Sequence, residues 1–281
     1  MPSLRHHLEL GELALKDGPH PESARRDSEL LLTHTLKKNR TWLLAHDDEL
    51  LSDKLFLSYT ELLARRRCGE PIQYIIGETE FYGLPFRVTR DVLIPRPETE
   101  HLVEKVIELA ARFQQPRIVD VGTGSGAIAV ALAHKLPHAQ ITATDICSRA
   151  LVVARKNAKL NEVDLRFLEG DLLAPVASEK FEIVVSNPPY VPETDRATLS
   201  VEVREYEPAL ALFAGDDGLD VYRRLIPAAF DALAPGGFVA LEIGYGLSTA
   251  MRELLSRAGF EQIEFVPDLQ NIPRVACARR P

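Results

Sequence analysis

The sequence predicts an α/β protein: a largely parallel sheet with helices on both faces, preceded by a small helical bundle and a β-hairpin connector. Three observations carry this. From about residue 115 onward, short apolar strands alternate with segments of helical periodicity. A glycine-rich turn, Gly122-Thr123-Gly124-Ser125-Gly126, stands between the first of those strands and its helix. Residues 1–70, by contrast, carry leucine-rich helical patches and no strand-like run.

In the first domain, 1–70, Leu8, Leu10, Leu13 and Leu15 form one apolar patch, and Ala24, Leu30, Leu31, Leu32 and Leu36 mark a second helix. Trp42-Leu43-Leu44 and the group Leu55, Leu57, Leu62 and Leu63 predict two more. Asp17-Gly18-Pro19 and Ser52-Asp53 supply the breaks between them. The connector, 71–90, contains Gln73-Tyr74-Ile75-Ile76, Glu80-Phe81-Tyr82 and Pro85-Phe86-Arg87-Val88. These are read as β-type segments around Gly77 and Gly83.

The third domain, 91–281, opens with Pro95 and Pro97, which hold the chain extended. Pro97-Glu98-Thr99-Glu100 then starts a helix with acidic groups in its positive first turn. Strands are expected at Arg117–Val121, 140–144, 164–167, Phe181–Ser186 and 238–243. Helices are expected at Ala127–Lys135, 150–159, 219–233 and 248–258. That rhythm places ligands at the carboxyl ends of the strands.

Composition narrows the function. At 281 residues and 46% hydrophobic content the chain can bury large cores in two units. A net charge of −8 argues against a protein held on nucleic acid by many phosphate contacts. The basic run Arg65-Arg66-Arg67 reads as a solvated helix end. No stretch is long and apolar enough for a bilayer, and no signal peptide is visible. Cys68, Cys147 and Cys277 lack C-x-x-C spacing, which fits a reducing cytoplasm. The histidines have no paired ligand spacing, so no metal site is expected.

The glycine turn has G-x-G-x-G spacing and follows Asp120 directly. Glycines there let the backbone turn sharply and approach a ligand closely. A carboxylate at Asp120 would repel a pyrophosphate but suits the cationic amino-acid end of S-adenosylmethionine. A nicotinamide cofactor is the competing ligand. Asp145, ending the second strand, is placed to accept from ribose hydroxyls, and Asp171 and Leu172, after the third, to meet adenine.

Ser186-Asn187-Pro188-Pro189-Tyr190 follows the apolar strand Ile183-Val184-Val185. The prolines have no N–H, and Pro188 holds Asn187 extended. The Asn187 side-chain oxygen and the Pro188 carbonyl then form a pair of acceptors suited to an NH2 group on a planar π-system, with Tyr190 able to stack on that plane. A carboxamide nitrogen is a poor nucleophile. Two acceptors would align it with a sulfonium methyl and stabilise the positive charge it develops.

Ile94-Pro95-Arg96-Pro97-Glu98-Thr99-Glu100, Asp145-Ile146, Asn187-Pro188-Pro189-Tyr190, Glu207-Pro208-Ala209-Leu210, Asp217-Gly218-Leu219-Asp220 and Pro235-Gly236-Gly237 accompany the glycine turn. With them the chain closely resembles, nearly end to end, the release factor glutamine methyltransferases, the HemK-like class I methyltransferases. The resemblance implies a Rossmann-like, seven-stranded class I methyltransferase sheet and a helical domain that docks the protein substrate. It also implies S-adenosylmethionine as cofactor and methylation of the glutamine in the Gly-Gly-Gln loop of bacterial peptide chain release factors, in the cytoplasm. The implied cofactor contacts fall on Gly122, Thr123, Gly124, Ser125, Gly126, Asp145, Leu172 and Asn187. The substrate contacts fall on Asn187, Pro188, Pro189 and Tyr190. Asn187, Pro188 and Tyr190 would carry catalysis, with no direct nucleic-acid or membrane requirement.

Two positions depart from the family's pattern. Many relatives have tryptophan where Leu172 stands, and Asn271 occupies a position where glycine is frequent. The tetrapeptide alone also fits glutamine methylation of a large-subunit ribosomal protein, or adenine N6 methylation of nucleic acid. The segment 96–100 favours release factors over the ribosomal protein, and the charge balance argues against nucleic acid. A non-catalytic adaptor would need neither the intact tetrapeptide nor the glycine turn. Arg96 and Glu98 are read either as a lip over the transferring methyl or as a local ion pair. Glu242 and Gly244 are read as a turn or a pocket wall.

Overall fold

The computed structural model describes residues 2–281, which divide into two compact units, 2–77 with 199–206, and 78–198 with 207–281.

The helical unit contains α1 (Leu4–Lys16), α2 (Ala24–Leu36), α3 (Arg40–Ala45), α4 (Asp53–Arg67) and α5 (Ile72–Ile76). Ser3 and Asn39 cap α1 and α3 by accepting from the backbone N–H groups of His6 and Trp42. Leu8, Leu15, Leu31, Leu32 and Tyr59 form its core. Within that core the hydroxyls of Ser28 and Tyr59 share a 2.7 Å hydrogen bond, and Ser28 also donates to the Leu8 carbonyl. A side chain at Gly11 would overlap Tyr59 Oη, so glycine there sets the approach of α1 to α4.

The segment Gln73-Tyr74-Ile75-Ile76, expected as β-structure, is the helix α5. Gly77, left-handed at φ 84°, ends it by donating to the Gln73 carbonyl at 2.7 Å. Ile72 and Ile75 bury into the bundle core, and that packing outweighs the strand preference of an isoleucine pair. The hairpin therefore starts at Glu78, with β1 (Glu78–Phe81) paired antiparallel to β2 (Leu84–Arg87).

The second unit continues with α6 (Glu100–Ala110), β3 (Arg117–Val121), α7 (Ala127–Lys135), β4 (Gln140–Asp145), α8 (Ser148–Leu160), β5 (Arg166–Glu169) and β6 (Phe181–Ser186). Helix α9 (Val201–Tyr206) then belongs to the helical unit, where the buried Arg66 holds Glu202 together with Asp27. The chain ends with α10 (Asp220–Ala232), β7 (Leu233–Glu242), α11 (Ser248–Arg257), β8 (Glu261–Pro267) and β9 (Pro273–Arg279).

The seven strands lie in the order β5-β4-β3-β6-β7-β9-β8. The first five run parallel, and β9 is antiparallel to both its neighbours. Side-chain alternation feeds two cores. Ile118, Ile183 and Val185 face α6 and α7, whereas Val119, Val184 and Val239 face α10 and α11. Because β6 is buried on both faces, its middle runs Ile183-Val184-Val185 without polar alternation, whereas β3 and β4 carry the buried polar residues Asp120, Thr142 and Thr144.

Asn157 of α8, fully buried, ties the hairpin to the glycine turn. Its Nδ2 donates to the carbonyls of Arg87 and Ser125, and its Oδ1 accepts from Arg87 N at 2.7 Å. Asn157→Ala leaves one buried backbone group, the Ser125 carbonyl, and two part-buried ones of Arg87 without this partner. It should destabilise the protein by about 2–4 kcal/mol in denaturant unfolding. A loss well below about 1 kcal/mol would mean that water replaces the amide and the tie is dispensable.

Candidate functional site

At the carboxyl ends of β3, β4, β5 and β6 lies a cavity of about 300 Å³, formed within the second unit alone. Gly122, Thr123, Gly124 and Ser125 line it, as do Asp145, Asp171, Leu172, Asn187 and Pro189. Asp120, Gly126, Pro188 and Tyr190 do not line it. Among the described residues no cluster of three or more His, Cys, Asp or Glu side chains is arranged to hold a metal ion.

The turn after β3 has all three glycines left-handed, at φ 71°, 56° and 81°. A Cβ on Gly122 or Gly124 would meet nothing within 4 Å, so both present bare backbone to the cavity. Gly126 serves packing: a Cβ there would stand 3.1 Å from the Ala154 Cβ of α8. Gly122 N and Thr123 N both donate to the Thr144 carbonyl, which fixes the turn across the end of β4.

Asp145 orders the neighbouring loops. Its two carboxylate oxygens accept from Gly124 N and Cys147 N, each at 2.8 Å, and each keeps a lone pair for a ligand hydroxyl. Burial pushes its pKa up, while the backbone hydrogen bonds from Cys147, Gly124 and Ile146 pull it down. Asp120 differs. It is fully buried, Thr123 Oγ1 donates to its Oδ2 at 2.6 Å, and its Oδ1 has no partner. Burial pushes this carboxyl up to about 7. It supports the glycine turn from behind and forms no part of the cavity wall.

Leu172 lines the cavity with a left-handed backbone, φ 49°, held by Thr144 Oγ1 donating to its carbonyl. Asp171 forms an ion pair with Arg224, so its carboxylate is engaged at the rim. Asn271, in the turn between β8 and β9, stands at φ 62°, which asparagine tolerates better than most residues.

At the end of β6, Ser186 Oγ donates to the Val121 carbonyl at 2.6 Å and ties this strand to the start of the glycine turn. Asn187 Nδ2 donates to Thr99 Oγ1 at 3.1 Å, leaving Oδ1 as the carboxamide's remaining acceptor at the cavity wall. Tyr190 packs beside the sheet, and a side chain at Gly244 would come within 2.9 Å of its ring. Its hydroxyl donates to Glu242 Oε1 at 3.3 Å, and burial raises its pKa, so it stays a donor.

Several expectations change here. Arg96 pairs with the buried Glu207 and not with Glu98. Glu242 is a strand residue, Gly244 begins a turn, and neither lines the cavity. Sequence reasoning passed over Val92 and Leu93 from the strap before α6, Ile128 of α7, and Cys147 and Arg149 after Asp145, all of which line the cavity. Proximity to the glycine turn and to Asp145 was the available signal for the last three. The strap offered only its prolines.

Comparison with known proteins bears on this site. Residues 98–204 match the family described as methyltransferase small domain, and residues 8–77 match the PrmC N-terminal domain. The chain is 42% identical over 273 residues to the release factor glutamine methyltransferase of Koribacter versatilis, covering 97% of this chain and 96% of that one. It is 43% identical over 262 residues to the protein of the same name from Deinococcus radiodurans, covering 93% and 92%. Among solved structures, a methyltransferase from Pyrococcus furiosus matches with a TM-score of 0.51 at 20% identity, over 71% of this chain and 90% of that one. The T. thermophilus 16S rRNA N2 G1207 methyltransferase matches with a TM-score of 0.54 at 19% identity, over 73% and 50%. The two structural matches share the fold.

The burial of Asp120 makes stability depend on pH. Between the ordinary carboxylate value of about 4 and the folded value of about 7, the folded protein holds a proton that the unfolded chain has released. Stability from this group is therefore full below about pH 4 and is lost as pH rises to about 7. Asp120→Asn, which keeps an acceptor for Thr123, should raise the melting temperature at pH 8 by a few degrees, and the gain should fade toward pH 5. A gap between variant and wild type that ignores pH would contradict this origin.

Proposed function

The chain belongs to the release factor glutamine methyltransferase family. From that premise we propose that it methylates the side-chain amide nitrogen of the glutamine in the Gly-Gly-Gln loop of a bacterial peptide chain release factor, a cytoplasmic reaction using S-adenosylmethionine. The observation that carries the reading is the Asn187 carboxamide, which lines the cavity beside the glycine turn with its donor end already taken by Thr99.

The residues fit the cofactor. Gly122 and Gly124 expose backbone where no side chain intrudes, and Asp145 keeps lone pairs for ribose hydroxyls. Leu172 offers an apolar surface to the adenine, and Asp171 flanks it at the rim. Thr123 and Ser125 continue the same wall, whereas Asp120 and Gly126 act behind it by holding the turn's shape. S-adenosylmethionine supplies an electrophilic methyl group.

At the substrate end, Asn187 Oδ1 and the Pro188 carbonyl accept the two N–H groups of the glutamine amide and direct its nitrogen at the methyl carbon. As the nitrogen took the methyl and the sulfonium's methyl–sulfur bond broke to leave a neutral thioether, positive charge would grow on that nitrogen and the two acceptors would stabilise it. The displaced proton leaves after transfer, so no strong base is needed. Pro189 walls the pocket, and Tyr190 stands outside its lining with its hydroxyl held by Glu242. Among the described residues no helix is long and apolar enough to cross a membrane.

Purified protein, labelled S-adenosylmethionine and unmodified release factor should yield one methyl group on the Gly-Gly-Gln glutamine, mapped by mass spectrometry. Asn187→Ala should cut kcat by roughly 100-fold or more with cofactor affinity nearly intact. Asp145→Ala should weaken cofactor binding by about tenfold. A methyl group on another protein, or full turnover by Asn187→Ala, would overturn the reading.

A further inference from the structure

Four arginines line the cavity among the described residues, an unexpected wall for a ligand that carries a sulfonium. Three of them, Arg90, Arg149 and Arg224, are exposed, and water screens their charge. Arg149 pairs with Asp91, and Arg224 with Asp171, on the same wall. Arg96 differs. Its side chain is 33% exposed, and its guanidinium is held by a carboxylate that does not line the cavity, Glu207, whose side chain is 1% exposed. Arg96 Nη2 donates to Glu207 Oε1, and the other carboxylate oxygen accepts from Ile94 N at 3.4 Å.

The position of Arg96 gives this pair its consequence. The Arg96 carbonyl accepts from Thr99 N at 3.1 Å, in the 3-10 turn Pro97–Thr99 before α6. Thr99 Oγ1 in turn accepts from Asn187 Nδ2 at 3.1 Å, so Arg96 stands at the Asn187 end of the cavity. Asp145, the buried carboxylate of the wall, ends β4, and β3 lies between β4 and β6. Two strand spacings, about 10 Å, therefore separate it from the start of the tetrapeptide. Of the charged groups that line the cavity, Arg96 is the one tied to Asn187.

We propose that Glu207 is a specificity-determining counter-charge. By neutralising Arg96 from behind the wall, it lets this end of the cavity accept a sulfonium, and so lets S-adenosylmethionine compete with its uncharged thioether product, S-adenosylhomocysteine. The role needs the sulfonium to face Asn187, as in the reading above, and is indifferent to which molecule receives the methyl group.

The two ligands share adenosine, amino group and carboxylate, and differ by one methyl group and one positive charge. Whatever merely shapes the cavity acts on both alike. An uncompensated cation on the wall repels only the sulfonium. Unit charges about 10 Å apart at an effective dielectric of about 20 repel enough to change affinity roughly tenfold. An Arg96–Glu207 pair presents a dipole instead, whose field falls off faster. Burial of the carboxylate keeps water from weakening that compensation, and the bond from Ile94 N holds it in place.

The test is calorimetric titration of the full chain at about pH 8, without release factor, with S-adenosylmethionine and S-adenosylhomocysteine in turn. Glu207→Gln keeps an oxygen for Ile94 N and removes the negative charge. It should weaken S-adenosylmethionine about tenfold while S-adenosylhomocysteine changes less than about twofold. Adding Arg96→Gln to that variant should bring the ratio of the two dissociation constants back to its wild-type value. Arg96→Gln alone leaves the carboxylate without this counter-charge and should shift the ratio toward S-adenosylmethionine, so the pair can be read even if Glu207→Gln does not fold.

If both dissociation constants move together in Glu207→Gln, or the ratio stays at the wild-type value in Arg96→Gln, the pair only fastens the strap and the proposal fails. A double variant that keeps the altered ratio of Glu207→Gln would overturn it equally. No methyl transfer enters these titrations, so their outcome stands whether or not release factor proves to be the substrate.

Discussion

A parallel sheet runs out of ladder partners where its strands end, and the backbone groups exposed there must be paired by something else. Much of the polar structure around the cavity answers that requirement. Thr144 O takes two N–H groups of the glycine turn, Ser186 Oγ takes the Val121 carbonyl, and Thr144 Oγ1 takes the Leu172 carbonyl. Asp145 takes Gly124 N and Cys147 N. All but the bond from Cys147 N join segments at adjacent strand ends, so the cavity wall is tied together along its base. A ligand meeting that wall finds backbone already oriented, and little ordering entropy remains to be lost on binding.

The same need for pairing brings carboxylates indoors, and two of them are poorly compensated. Asp120 and Glu242 each leave one oxygen without a partner, and burial pushes both up to about 7. A buried acid of this kind favours the folded state only when protonated, so neutral pH works against stability at two places beside the cavity. Their retention there suits a structural need on one side, the support of the glycine turn by Asp120 through Thr123. On the other side Glu242 accepts from the Tyr190 hydroxyl and anchors the end of the tetrapeptide to β7.

Local features of the sequence made the strand–turn–helix rhythm, the glycine turn, Asp145 and the tetrapeptide legible. Each is a short run whose chemistry depends on its own neighbours. The misreading of Gln73-Tyr74-Ile75-Ile76 shows where local reading stops. Four residues favour strand or helix about equally, and the decision came from Ile72 and Ile75 packing into the bundle and from the cap at Gly77. Asn157 and Thr99 were illegible for a different reason. Asn157 serves Arg87, 70 positions away, and Thr99 serves Asn187, 88 positions away. No periodicity links such partners. An asparagine in a helix and a threonine before one look like ordinary surface and capping residues until the fold brings their partners to them.

The acceptor pair proposed at Asn187 and Pro188 would also limit where substrate choice can reside. Two acceptors facing a planar NH2 group welcome a glutamine amide and an adenine amino group alike, since both present two N–H donors on a plane. The sheet beneath them is equally indifferent, because one fold hosts many substrates. The tetrapeptide therefore selects the reacting group and not the molecule that carries it. Discrimination between a protein loop and a nucleic acid has to come from surface outside the acceptor pair. With a net charge of −8 the chain as a whole lacks the cationic excess that phosphate tracking demands. On the proposed reading the chemistry of the transfer and the identity of the substrate would be encoded in separate parts of the chain, and a substitution at Asn187 would alter the first without informing on the second.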